Sequence, residues 1–228
     1  MVTLVDEIVK DRWEKEFDAG TDKNYPNIDL VRLEKWFFNS KPGKLIEYGF
    51  GSGVNTAHLA KCEYTIEGVD ATEGAVRTAK SKFIKNNILE NKVNLQSLNP
   101  GSKKLPFNDN YFDYAIIISV ISLLGSIERI HLVMSELKRV LKPGGKVIAD
   151  VNTSNSSFAL DGNHIGNNMY VNSGTSKKQE EIFCFCPNNE NVFKEIFSKY
   201  FKIIDVGRST SIIMKHSTDE FIYCGSKD

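Results

Sequence analysis

Glu47, the glycines at 49, 51 and 53, and Asp70 are the residues whose types and spacing could do chemistry. The first four stand in Leu45-Ile46-Glu47-Tyr48-Gly49-Phe50-Gly51-Ser52-Gly53-Val54-Asn55-Thr56, which begins apolar and turns helical from Asn55. Such a run reads as strand, tight turn and helix. Glycine serves where the backbone takes a positive φ or where a ligand lies against the main chain. The first N–H groups of the following helix then point at whatever rests on the turn. A plain tight connection explains a lone glycine-rich turn nearly as well. The spacing narrows the choice. Dinucleotide folds use G-x-G-x-x-G, whereas these glycines alternate with other residues and follow an acid. The Glu47 carboxylate would oppose a pyrophosphate but suit a ligand carrying an amine and a sulfonium. Asp70 ends the next apolar run, 64–70, about 20 residues beyond the turn, where an acid grips ribose hydroxyls.

Those residues need a sheet behind them, and the rest of the chain supplies its elements in alternation. Residues 29–38 read as a helix, stopped by Ser40-Lys41-Pro42-Gly43, and 44–48 as the first strand. A crossover helix over 55–61 leads to the second strand at 64–70. Thr72 caps a helix with Ala75, Ala79 and Phe83 on its buried face, and 92–97 is the third strand. The unbroken apolar run 111–120 suits a central parallel strand covered on both faces. An amphipathic helix over 126–141 ends at Lys142-Pro143-Gly144-Gly145, and 146–151 is the fifth strand. Residues 179–186 read as extended, 190–200 as a helix, and 201–207 and 220–224 as the last two strands. Strand and helix alternating in this way predict a parallel, doubly wound sheet.

Two stretches lie outside that pattern. Residues 1–29 are polar and mixed, with Trp13, Phe17, Tyr25 and Pro26 as large side chains that read as cover over the cleft. Trp13 and Tyr25 are also candidates to touch substrate. Residues 152–176 are rich in Asn, Ser and Gly and contain His164 and Tyr170. A polar stretch of that length inside a compact domain reads as a substrate lid. His164 is the one weak candidate for a general base. His58 and His131 fall inside helices and read as structural.

The 228 residues suffice for one domain with a sizeable core. Lys plus Arg and Asp plus Glu number 29 each, so no net field draws nucleic acid or an anionic membrane. No apolar run approaches the roughly 18 residues that span a bilayer, and residues 1–10 lack the apolar centre of a secretory signal. The four cysteines, at 62, 184, 186 and 224, are too sparse for a disulfide framework or a zinc site. They read as buried free thiols in a reducing, cytoplasmic setting, and no metal is expected.

Glu47, the alternating glycines and Asp70 together resemble motif I and the acidic loop of the class I S-adenosylmethionine-dependent methyltransferases. Leu105-Pro106-Phe107, Tyr111-Phe112-Asp113 and Leu141-Lys142-Pro143-Gly144-Gly145 resemble the "LPF…FD…LKPGG" signature of the methyltransferase type 11 group. The likeness covers about residues 44–152. It implies a Rossmann-like doubly wound seven-stranded sheet, mostly parallel with an antiparallel last strand, and helices on both faces. The chain then divides as a single domain, 1–228: a helical cover at 1–43, a cofactor-binding core at 44–152, a lid at 153–180, and a C-terminal helix and strand pair at 181–228.

The resemblance also implies site roles. Gly49, Gly51 and Gly53 pass the methionyl part and ribose of S-adenosylmethionine over their backbone, with Tyr48 and Asn55 beside them. Glu47 orients the turn and the amino group. Asp70 accepts the ribose hydroxyls and Ala71 lies against the adenine. Asn99 stands where the family often has an aspartate that accepts from the adenine amine, and Ser119 lies near the methyl group. Because the cofactor brings the activated methyl, no catalytic dyad is required, and the product is S-adenosylhomocysteine. Ser119-Val120-Ile121-Ser122 replaces the Asn/Asp-Pro-Pro-Tyr/Phe sequence of the subgroup that methylates nucleic bases or glutamine. A small-molecule acceptor is therefore expected. Two rivals remain: a nicotinamide-dependent oxidoreductase, and a non-catalytic member of the fold acting as a partner protein.

Overall fold

The computed structural model describes residues 4–88, 91–99, 101–172, 181–214 and 216–228. At its centre β1 (Lys44–Tyr48), β2 (Thr65–Asp70), β3 (Val93–Ser97), β4 (Phe112–Ile117) and β5 (Leu141–Asn152) run parallel. β9 (Lys202–Ile213) and β10 (His216–Ser226) complete a seven-stranded sheet in the order β3-β2-β1-β4-β5-β10-β9, with β10 antiparallel to both neighbours. The expected architecture is therefore present.

The strands are apolar because both faces are covered. On one side Leu45, Ile116 and Ile148 pack with Leu59 of α3 (Val54–Lys61) and Leu30 of α2 (Ile28–Trp36). On the other, Ile46, Ala115 and Val147 meet Ile130, Met134 and Leu137 of α5 (Ile127–Val140). Phe193 and Phe197 of α7 (Glu190–Phe197) join that second layer. Ala75, Ala79 and Phe83 of α4 (Glu73–Lys85) close over Phe50 and Leu95. The helix starts are capped as their sequences require. Asn27 accepts from Asp29 and Leu30, Thr72 from Ala75 at 3.2 Å, and Ser126 from Arg129 at 3.1 Å.

The signature residues of the core are braces. Asp113 accepts the Lys44 N–H at 2.9 Å and the Lys142 ammonium at 2.6 Å. Glu136 of α5 accepts the Leu105 N–H at 2.6 Å, while Arg139 donates to the carbonyls of Leu105 and Phe107. The LPF, FD and LKPGG segments are thus sewn together at the edge of β4.

Several boundaries differ from expectation. Within the expected helical cover, where no helix was placed before residue 29, lies α1 (Leu4–Asp18), a 15-residue helix lying against α4. Phe17 comes so close to Gly74 that a Cβ there would sit 2.6 Å from the Phe17 Cβ. β5 begins at Leu141 rather than Lys146, because Leu141 already pairs with Phe112. The expected lid contains α6 (Ser157–Leu160), β6 (Asn163–Gly166) and β7 (Met169–Asn172), and 173–180 lie outside the described residues. β6 and β7 form a small antiparallel sheet with β8 (Ile182–Phe185). Buried Cys184 and Cys186 pack there with Ala159, and burial pushes both thiols up to about 12. Among the described residues no helix is long and apolar enough to cross a membrane, and no cluster could hold a metal ion.

Candidate functional site

Parallel strands leave their carboxyl ends at one edge, and open α/β folds bind ligands there. A cavity of about 300 Å³ lies over that edge. Its floor is the β1–α3 turn and the ends of β2 and β4. Its roof is α1 and the loop from Thr21 to Asn27.

The glycines of the turn divide their work. Gly53, at φ +74°, could not bear a Cβ, which would lie 2.7 Å from Ala79 Cβ and about 3 Å from Phe83. It lets α3 approach α4. Gly51, at φ +55°, is different, since a Cβ there would meet only Phe17 Cζ at 4.0 Å. Its bare backbone faces the cavity.

Asp70 holds that backbone in place. One carboxylate oxygen accepts the Gly51 N–H at 2.9 Å, and the other accepts the N–H and hydroxyl of Thr72, each at 3.2 Å. Asp70 itself lines the cavity, so a ligand there meets the same carboxylate. Burial raises its pKa, opposed by the bonds from Gly51, Thr72 and Ala71.

Glu47 lies behind the turn. It is 2% exposed, does not line the cavity, and accepts the Thr56 hydroxyl at 2.5 Å. Burial pushes its carboxyl up to about 8 against the lowering pull of Thr56 and the Asn55 amide, and the Asp70 charge adds to the rise. Asn55 also accepts the Asn27 N–H at 2.9 Å, so this buried acid is linked through one side chain to the roof.

Of the residues singled out from sequence, the cavity brings together Tyr48, Gly49, Gly51, Asn55, Asp70 and Ala71. Asn99 and Ser119 also line it, as do Trp13 and Tyr25 of the roof. Glu47 and Gly53 support the turn from behind. His164 and Tyr170 lie outside the cavity, paired across β6 and β7 with ring centres 5.0 Å apart. The segment expected as cover, before the sheet, roofs the cavity, and among the described residues none of the expected lid lines it.

Phe17, read as cover, lines the cavity too, and sequence reading missed Asp6, Lys10, Lys23 and Arg129. Positions 6, 9 or 10, 13 and 17 recur at helical spacing on α1, which was the available signal. Arg129 donates to the Ser102 carbonyl at 3.0 Å, with its Nε 3.8 Å from Asp6. It also faces Tyr48, whose pKa burial raises. Lys23 is fixed through its backbone, its N–H on Ser52 Oγ at 3.1 Å and its carbonyl on the Lys82 ammonium. Arg77 of α4 ties the roof down through Glu14 at 3.0 Å and Asp18 at 2.9 Å.

Comparison with known proteins agrees with this geometry. Residues 46–149 match the family described as a methyltransferase domain. The ubiquinone/menaquinone biosynthesis C-methyltransferase UbiE of Burkholderia mallei is 32% identical over 114 residues, 48% of this chain and 44% of that protein. The matched stretch thus spans less than half the length of such relatives. Among solved structures, a methyltransferase of Methanosarcina mazei described as S-adenosylmethionine-dependent superposes with a TM-score of 0.71 at 18% identity, covering 84% of this chain and 96% of that one. A 1,6-didemethyltoxoflavin-N1-methyltransferase of Burkholderia thailandensis, solved with 1,6-didemethyltoxoflavin and S-adenosylhomocysteine, gives 0.70 at 16% identity, covering 97% and 88%. At such identities these two speak for the fold.

Proposed function

We propose that residues 46–149, which match the methyltransferase-domain family, form a class I S-adenosylmethionine-dependent methyltransferase domain and that the chain uses it to methylate a small molecule. The observation that carries the reading is the Asp70-anchored turn, whose bare Gly51 backbone opens on a roofed cavity. S-adenosylmethionine supplies an activated methyl on its sulfonium. The protein's part is to bind, orient and exclude water, and placement can account for roughly 7–11 kcal/mol of barrier lowering.

Asp70 receives the ribose hydroxyls while keeping the Gly51 N–H. Ala71, Leu98 and Asn99 frame the adenine, with the Asn99 amide oxygen accepting from its amino group. Gly49, Gly51 and Asn55 bear the methionyl part, Tyr48 and Ser119 stand beside it, and Glu47 and Gly53 hold the turn from beneath. Trp13 and Tyr25 shield the acceptor from water. Among the described residues no histidine lines the cavity, and proton loss from the acceptor is left to solvent or to the acceptor's own acidity. The balance of 29 basic and 29 acidic residues supports a small acceptor over a nucleic acid. Four free thiols suit a reducing cytoplasm.

The test is S-adenosylhomocysteine release from S-adenosylmethionine, measured by chromatography over a panel of phenols, amines and enolisable ketones. Acceptor-dependent release supports the reading. Silence across the panel together with hydride transfer from a nicotinamide cofactor would overturn it.

A further inference from the structure

Ser119 is strained where it matters. It follows β4, lines the cavity and holds φ at +60°, a region that residues with a Cβ enter at a cost. Its N–H donates to Asp150 Oδ1 at 2.6 Å. Asp150 sits near the end of β5 at 3% exposure, among apolar Ile148, Ala149 and Val151. A buried carboxyl is unfavourable, and the sheet does not need one there.

Its effect reaches past one residue. After Ser119 the chain runs through Val120 to Leu124, and Val120, Leu123 and Leu124 also line the cavity. Val120 packs so tightly on the glycine turn that a Cβ on Gly49 would lie 2.3 Å from its Cγ2. Two residues on from Asp150, the Asn152 N–H donates to Ser122 Oγ at 2.8 Å. The end of β5 therefore fixes this wall at two points.

We propose that Asp150 is a positioning residue, holding the left-handed Ser119 turn and the wall from 119 to 124 against the glycine turn in the shape that takes cofactor and acceptor. The proposal rests on the methyl-transfer reading, which gives the cavity its ligand. The charged groups facing Asp150 are Glu220 on β10, Asp29 on α2 and Lys23 in the roof loop. Burial, then Glu220, holds its carboxyl well above the ordinary range, and asparagine keeps the side chain's shape and an oxygen to accept the Ser119 N–H.

Three variants test it: Asp150→Asn, Asp150→Ala, and Asp219→Asn as a control. Asp219 is an equally buried acid that bonds Thr153, Thr210 and Arg208 away from the cavity. Amide exchange over 119–124 is read without ligand, and S-adenosylhomocysteine affinity by calorimetry. Losing a buried bond to a charged or polar acceptor is worth up to about tenfold. Asp150→Ala should raise exchange over 119–124 and weaken binding about tenfold. Asp150→Asn should stay within about twofold on both. Asp219→Asn should lower the unfolding midpoint and leave both readings alone. Should Asp150→Ala not fold, Asp150→Val takes its place. Unchanged exchange in the alanine variant, or an asparagine variant as impaired as alanine, overturns the proposal. A wild-type protein that ignores S-adenosylhomocysteine would sink the methyl-transfer reading instead, and exchange would still decide the role of Asp150.

Discussion

Glu47→Gln should remove most of a pH dependence built into the fold. The Glu47 carboxyl is raised from 4.5 to about 8 by burial. Below about pH 4.5 it is protonated folded or unfolded. Between about 4.5 and 8 the unfolded chain releases the proton while the folded carboxyl keeps it, so the native state binds more protons and stability falls as pH rises. The gap of about 3.5 pH units, at about 1.36 kcal/mol each, makes the loss on the order of 5 kcal/mol. Glutamine keeps an oxygen for the Thr56 hydroxyl and does not titrate. Asp150 and Glu220 are raised as well, and they slope the same way in both proteins, so the difference isolates Glu47. Urea unfolding of wild type and variant from pH 5 to 8.5, in the absence of ligand, is the assay. The variant should gain several kcal/mol on wild type across that span. Two curves that stay parallel to within about 1 kcal/mol would refute the buried, protonated Glu47.

The glycines should separate by experiment. Gly53→Ala forces a Cβ to 2.7 Å from Ala79 at a positive φ, and should cost about 2–4 kcal/mol in chemical denaturation. Gly51→Ala meets only Phe17 Cζ, at 4.0 Å, so it should cost only about 1–2 kcal/mol of stability. Its cofactor affinity, read by calorimetry, should nonetheless fall at least about tenfold as the methyl group enters the ligand's place. His164→Ala should leave methyl transfer within about twofold, because His164 lies outside the cavity; a loss of activity at constant folded fraction would put it back in the site.

The sheet was legible because its signals are local. An apolar start ahead of the glycine turn marked β1, a continuous apolar run marked β4, and Thr72 marked its helix. The glycine turn and Asp70 were legible for the same reason, each at a fixed offset from a strand end. α1 was not, because the face it turns inward lines a cavity rather than a core. Asp6 and Lys10 therefore interrupt Val9, Trp13 and Phe17, and the helix looks polar. The β6–β7 hairpin was obscured by the composition of its surroundings. Its turn nonetheless carries Asn167 and Asn168 with φ of 51° and 58°, the pair of positive angles that tight hairpins demand. Asp150 gave no signal at all, since one acid in an apolar strand shows its purpose only when Ser119 is seen beside it.

The central claim is that this cavity binds S-adenosylmethionine through Asp70. Its most direct test is calorimetric titration of wild type and Asp70→Ala with S-adenosylhomocysteine, with NAD as a control ligand. Two hydrogen bonds to a charged acceptor are worth about 3 kcal/mol together, or roughly a hundredfold in affinity. Wild type should bind S-adenosylhomocysteine and ignore NAD, and the variant, still folded, should bind about a hundredfold more weakly. Binding of NAD in place of S-adenosylhomocysteine, or equal S-adenosylhomocysteine affinity in the two proteins, would contradict the account.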